Sequence, residues 1–371
     1  YVYANEKFNL AKFDPSNVEI NTEKLNKLDK WMLSRVNSTI KNVTELSNKY
    51  KLPWITQQLR DLIVNDISRW YIILNREKIE LYSEDPSKFQ IMALLFDVLF
   101  KVLLLLAPIN PMLSEEIFLK IFKPYLESMD LEETKSIHLQ DWPKVSEENI
   151  DLKLEEQMQF TRDLIEIIRS LKNDNKIRLR WPNKKIIIEP KENMPEILLL
   201  GIVKKMGNVK ELEILKSVKF SENLIKAESK YCNIYLDISV DDELIAERVV
   251  SDLLRNIQFT RKKNNFQVGE LIKLIIGTDK TFLIDYLEKD KEDIAKKVTA
   301  KYIEIIDKKI EGFDDYIKEE ITLCPNDKCF ASLKTKFIDK LKRKNNLQCP
   351  YCNETINNKD IINITFQFKK I

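Results

Sequence analysis

Four of the five cysteines fall in two close pairs: Cys324 and Cys329 with four residues between them, then, after nineteen residues, Cys349 and Cys352 with two between them. Two such knuckles meet the tetrahedral, soft-ligand demand of zinc, and thiols in this layout are typical of a reducing compartment. A closed set of four thiolates leaves no open coordination position, so the expected zinc is structural and not catalytic. Between Cys324 and Cys352, seven cations (Lys328, Lys334, Lys336, Lys340, Lys342, Arg343 and Lys344) stand against Asp327 and Asp339, a local charge of +5. That charge suits RNA phosphates and equally suits a merely solvated face. Cys232 stands apart in a strand-like stretch and reads as a small core residue.

A second group able to do chemistry is Arg178, Arg180 and Trp181, within KIRLRWPNKKIIIEP from Lys176 to Pro190. Ile177, Leu179 and Trp181 alternate with the arginines in period two, which predicts a strand carrying both guanidiniums on one face. Guanidiniums beside an exposed indole can contact phosphates and stack on unpaired bases. The alternative is a core Trp181 with solvated arginines.

Other chemistries are excluded by composition. One histidine and five glycines in 371 residues leave no glycine-rich phosphate loop and no histidine triad unless His138 acts alone. His138 sits in Ile137 to Pro143, a segment better suited to packing than to catalysis. Charged residues make up 32%, yet the net charge is +2, so any nucleic-acid surface must be local. The apolar run from Val102 to Ile109 is too short to span a bilayer, and the expectation is a soluble, cytoplasmic, monomeric protein. The chain opens at Tyr1 without a signal peptide, which suggests a piece of something longer.

The elements that must position these groups begin with helices. Leu25, Leu28, Met32, Val36, Ile40, Val43 and Leu46 form the seam of a helix running to about Tyr50, with Asn21 or Thr22 as its cap. A central helix, Ile55 to Arg76, carries Ile55, Leu59, Leu62, Ile63, Ile67, Trp70 and Leu74 along one stripe. Asp66 interrupts that stripe, so a carboxylate faces the interior and must find donors there, a Trp, Tyr or Arg of a neighbouring helix or a ligand. A third helix, to Ala107, is apolar on nearly all sides, and Asn110-Pro111 starts a fourth that runs to about Phe122. Four helices with short connections predict an antiparallel bundle over 1–150. A small α+β domain is expected over 151–310: a helix from Leu152 to Leu171, a strand from Lys176, a helix over 194–206, strands over 209–215 and 231–240, and a helix over 241–264. A lysine-rich zinc module should follow over 311–371. The fold class is therefore mainly α with α+β.

These residues carry a resemblance. Tyr3-Ala4-Asn5, Phe13-Asp14-Pro15, Leu28-Asp29-Lys30-Trp31-Met32-Leu33-Ser34-Arg35, Asp66-Ile67-Ser68-Arg69-Trp70-Tyr71, Leu106-Ala107-Pro108-Ile109-Asn110-Pro111 and Ser114-Glu115-Glu116-Ile117 are similar to the C-terminal half of isoleucyl-tRNA synthetases, a class I family. Ile137 to Pro143 and Leu179-Arg180-Trp181-Pro182 are the most isoleucine-specific parts, and coverage is good to about residue 280. Ile72-Ile73-Leu74 replaces the arginine-rich continuation common in the family, Asn175-Lys176 replaces its Ala-Gly, and the cysteine spacing departs from the bacterial zinc module. The resemblance implies an anticodon-binding bundle and a tRNA partner accepting isoleucine; the expected tRNA-binding positions are Arg69, Arg76, Lys176, Arg178, Arg180 and Trp181. It also implies catalytic and editing domains upstream that use ATP, so this chain itself should hold no catalytic residue and bind no ATP. A valine or leucine enzyme, or a free-standing tRNA-binding protein, are the other readings.

Overall fold

The computed structural model describes residues 13–14, 18–80, 83–126, 135–219, 221–267, 269–307, 316–326, 329, 331–344, 346–357 and 361–371. Tyr3-Ala4-Asn5 and Pro15 of the resemblance lie outside them, as do Asp327 and Lys328. The chain divides into two compact units: Tyr1–Arg162 with Pro195–Ile202, and Asp163–Met194 with Val203–Ile371.

The first unit is helical. Asn21 caps only a short turn, Thr22–Lys24; helix α1, Lys27–Asn48, begins behind Asn26, whose side chain accepts from the backbone N–H groups of Leu28 and Asp29. The Asn side chain thereby satisfies two donors that the helix start leaves open. After Pro53 in its first turn, α2 (Leu52–Arg60) continues as wide π-type turns over Asp61–Ile72 and one last α turn, Ile73–Asn75. Helix α3 is Lys88–Leu106; α4, Pro111–Ile117, continues through wide turns Phe118–Phe122 into Lys123–Leu126. Trp31, Met32, Val36 and Ile40 of α1 are buried with Leu62, Tyr71, Met92, Val98 and Leu103. By length and composition α3 could cross a membrane, at a mean hydropathy of 2.3 over eighteen residues, but 61% of that window is buried inside the protein. Apolar on nearly all sides, it buries most of its length within this unit. Helix α5, Leu152–Asp174, supplies its first half to this unit.

The second unit is α+β. One sheet has the order β2-β1-β4-β3, from Val209–Ile214, Asn183–Pro190, Cys232–Asp237 and Leu224–Glu228, with β1 parallel to β2 and antiparallel to β4. Helix α6 is Leu200–Gly207, and α7 is Asp242–Lys263, capped by the Asp241 side chain. The other sheet has the order β6-β5-β10-β7. Its strands are β5 (Ile272–Gly277), β6 (Ala300–Ile306), β7 (Ile317–Leu323) and β10 (Ile362–Lys370). Two short helices, α8 (Thr281–Lys289) and α9 (Lys291–Val298), connect β5 to its parallel neighbour β6. Ile245, Val249, Leu253 and Ile257, one apolar stripe of α7, pack with Leu274, Ile276, Phe366 and Phe368 of the sheet. Helix α10, Thr335–Lys344, and the pair β8 (Asn346–Gln348) and β9 (Thr355–Asn357) stand between β7 and β10 in the chain.

Two expectations change here. Residues 177–182 are a turn and not strand: Lys176 takes a left-handed conformation (φ 58°), Ile177 N–H returns to Lys172 O, and Trp181 N–H to Arg178 O. Pro182 has no N–H to donate to a ladder, so β1 starts just behind it. The division expected at 310/311 runs through a sheet, because β10 pairs with β5 on one side and β7 on the other.

Candidate functional site

The four cysteines meet. The turn 324–333 folds back on itself, Cys324 N–H donating to Ala331 O and Cys329 N–H to Asn326 O, while the second knuckle closes through Cys349 N–H on Glu354 O. The sulfurs of all four residues lie within 4.8 Å of one another, with Cys324 to Cys352 at 3.8 Å and Cys329 to Cys349 at 3.9 Å. Sulfurs at about 2.3 Å from a tetrahedral zinc are about 3.8 Å apart, so the cage already has the required edge. Hydrogen bonds to Cys324 and Cys349, followed by burial, push the Cys329 thiol far up, whereas hydrogen bonds from Cys324 and Cys329 draw Cys349 down to about 2. Four thiolates at this spacing would repel one another, and a divalent cation is what would hold them together. Cys324, Cys329 and Cys349 are buried, and the donor set fits a soft divalent metal.

Trp181 belongs to the same core, packed with Leu333, Leu341 and Ile356 and facing the Tyr351 ring at 5.8 Å. It is 5% exposed. The Arg178 guanidinium lies 4.1 Å from the Tyr351 ring centre, and Arg178 and Arg248 each lie 5.2 Å from that of Trp181. Arg178 and Arg180 do share a side, but both spend it on Asp252 of α7. Arg178 Nη1 is 2.6 Å from Asp252 Oδ2, and Arg180 Nε bonds Oδ1. Ser332, on the cysteine turn, receives Arg178 Nη1 at 2.9 Å and donates to Asp252 at 2.5 Å. A carboxylate 2% exposed needs compensating cations, and these two supply them. The expected exposed phosphate-binding face of Arg178, Arg180 and Trp181 is therefore absent, and the group ties α7 to the cysteine turn instead.

Behind that turn Lys172 is 1% exposed, its ammonium donating to Trp181 O at 2.9 Å and Asn208 O at 3.1 Å. Burial, and then the charge of Arg248, push its pKa down to about 7. Nothing in the sequence singled it out, because one lysine at the end of an amphipathic helix resembles any other.

In the helical unit Asp66 is 3% exposed and holds two guanidiniums, Arg35 Nε at 3.0 Å and Arg162 Nη1 at 2.7 Å. Arg35 also reaches Glu155 at 2.7 Å, and Glu155 Oε1 accepts from Ser34 and Ser38. The Arg162 guanidinium lies 4.8 Å from the Trp31 ring and 5.2 Å from Trp70. This is the internal pairing that the interrupted stripe called for. Tyr71 donates to Asp29 Oδ1 at 2.8 Å, a second buried polar tie between α1 and the continuation of α2. Arg69, Arg76 and Lys176 are exposed; Arg69 contacts Asn65, and Arg76 lies 3.7 Å from Glu80. His138 is exposed in a short turn capped by Ser136.

Residues 29–188 match the family model of the anticodon-binding domain of tRNA ligase. The isoleucine–tRNA ligase of Methanothrix thermoacetophila is 27% identical over 81% of this chain and 34% of its own length. That of Pyrococcus horikoshii is 32% identical over 75% of this chain and 31% of its own, and that of Methanosarcina mazei 26% identical over 80% and 35%. The chain thus spans about a third of the length of the relatives it matches. The signature residues of α1 and α2, Leu28 to Arg35 and Asp66 to Tyr71, are the ones that build the Asp66 and Asp29 networks. The chain is thus similar over most of its length to about a third of several isoleucine–tRNA ligases, and its residues 29–188 match an anticodon-binding domain of the tRNA-ligase type.

Proposed function

We propose that this chain is the tRNA-binding portion of an isoleucine–tRNA ligase, an enzyme that joins isoleucine to its tRNA at the expense of ATP. The observation that carries the reading is the match of residues 29–188 to the anticodon-binding domain, over the helices whose buried Asp66 network fixes their packing. The helices up to about residue 150 act as the antiparallel anticodon-binding bundle, and the chain works in the cytoplasm as a monomer beside the catalytic part of the same enzyme. No ATP and no catalytic residue belong to this portion.

The four cysteines hold one structural zinc, which ties the turn 324–333 to the knuckle at 349–352. Its chemistry is cross-linking. Lys336, Lys340 and Arg343 of α10 lie on the exposed face opposite Leu341 and offer phosphate contacts, as do Arg69, Arg76 and Lys176. The test is a salt series of tRNA affinities for the parent chain and for Arg69→Ala with Arg76→Ala. Each lost phosphate contact should weaken binding and flatten the log-log slope by about 0.9. Unchanged affinity and slope would remove these two positions from the RNA surface.

A further inference from the structure

At one end of the helical unit, the segment Lys49-Tyr50-Lys51-Leu52-Pro53-Trp54 joins α1 to α2. Tyr50 is 90% exposed and Trp54 60%. Tyr50 ends α1 in the left-handed region (φ 53°), with Tyr50 N–H on Ser47 O and Lys51 N–H on Leu46 O. Glycine is the usual residue at such a helix end because a β-carbon is strained there. An aromatic ring held outward at that position has no packing role to justify the strain.

Beside it opens a cleft of about 350 Å³ lined by Thr44, Tyr50, Leu52, Ile55, Pro108 and Trp142 among others. Trp142, 38% exposed, is fixed by its indole N–H on Thr44 Oγ1 at 2.9 Å, so one face of its ring is set in place. Lys49 and Lys51 flank Tyr50, are exposed, and form no ion pair among the described residues. Glu45 and Asp141 are the acids nearest in sequence to Tyr50 and Trp142, and both are exposed.

Tyr50 and Trp142 at the cleft, with the exposed Trp54 and the lysines that flank Tyr50 close by in the chain, match the needs of single-stranded RNA: ring faces for bases and cations for the phosphates that connect them. A protein partner would be served by the apolar surface alone and would leave the lysines without a role. We infer that this end, with Tyr50, Trp54 and Trp142 as rings and Lys49 and Lys51 as cations, is a stacking platform for unpaired nucleobases. The inference rests on the tRNA-binding reading and deepens it by naming the place on the helical unit where unpaired bases sit.

The test uses the full chain, an isoleucine tRNA transcript, and a hairpin of the same stem closed by a minimal loop. Trp54 and Trp142 are the exposed tryptophans, whereas Trp31, Trp70 and Trp181 are buried, so quenching of fluorescence reports on the platform. The transcript should quench and the minimal hairpin should not. Tyr50→Ala and Trp54→Ala should each weaken transcript binding about tenfold with the salt slope unchanged, and Trp54→Phe should retain most of the affinity while losing part of the quenching. Both rings are exposed, so the variants keep the parent's melting profile, checked by circular dichroism. If the parent binds the transcript and both alanine variants bind it as tightly, the platform is wrong while the tRNA reading stands. If the parent binds no tRNA, the reading falls and the platform with it. Concentration-dependent self-association abolished by the same substitutions, with transcript affinity untouched, would assign the patch to a protein contact and overturn the inference.

Discussion

Asp66 and Lys172 show how a single buried charge is decided by what surrounds it. Asp66 has two guanidinium partners, so removing it takes the carboxylate away from Arg35, which keeps Glu155, and from Arg162 beside Trp31 and Trp70. Loss of one member of a buried ion pair typically costs about 3 kcal/mol or more. Asp66→Ala should therefore destabilise the helical unit by that order, read as a lower urea midpoint, with tRNA affinity of the folded protein nearly unchanged; an unaltered midpoint would contradict the pairing. Lys172 has two carbonyls and no carboxylate. Its pKa in the folded chain is about 7, against about 10.4 for an exposed lysine. Between those values the unfolded chain binds a proton that the folded chain does not. Its contribution is therefore most favourable above the upper value, is lost as pH falls toward 7, and stays level below that. Lys172→Met should flatten the pH dependence of stability between 7 and 10 relative to the parent, and identical slopes for the two proteins would refute a neutral buried amine.

Among the elements, the cysteine turn is the one whose order the proposed zinc would govern. Metal analysis should find one zinc per chain, lost in Cys349→Ser. Because thiolate ligation and local folding are linked, a chelator should raise hydrogen exchange in 324–356 while α1 to α3 stay protected. Stoichiometric zinc in the Cys349→Ser protein would count against the site. Legibility also varied by element. Helices α1 to α4 could be read because their apolar residues recur at helical spacing, and the internal partner of Asp66 followed from its place on the stripe. The cysteine spacing likewise announced its cage. The period-two stretch Ile177 to Trp181 misled, because three alternating residues carry too little signal to outweigh a left-handed Lys176 and the missing donor of Pro182. Asp252, which captures both arginines, lies 72 residues beyond Arg180, and no local pattern reports a pairing at that distance. Strand β10 turns Ile364, Phe366 and Phe368 to one core while Thr365 and Gln367 between them are buried as well, and its partners β5 and β7 lie far away in the chain, so no local pattern reports it.

At the scale of the whole molecule, a chain with a net charge of +2 owes any RNA affinity to local surfaces, so its binding should be salt-sensitive without being indiscriminate. The central claim is that this chain by itself recognises an isoleucine-accepting tRNA. Equilibrium filter binding of the 371-residue chain to isoleucine tRNA and to valine tRNA, side by side across a salt series, tests it most directly. The account predicts that the isoleucine tRNA binds at least about tenfold more tightly, a difference of about 1.4 kcal/mol, and that affinity falls linearly on a log-log plot as salt rises. Equal affinity for both tRNAs at every salt concentration, or no binding to either, would contradict it.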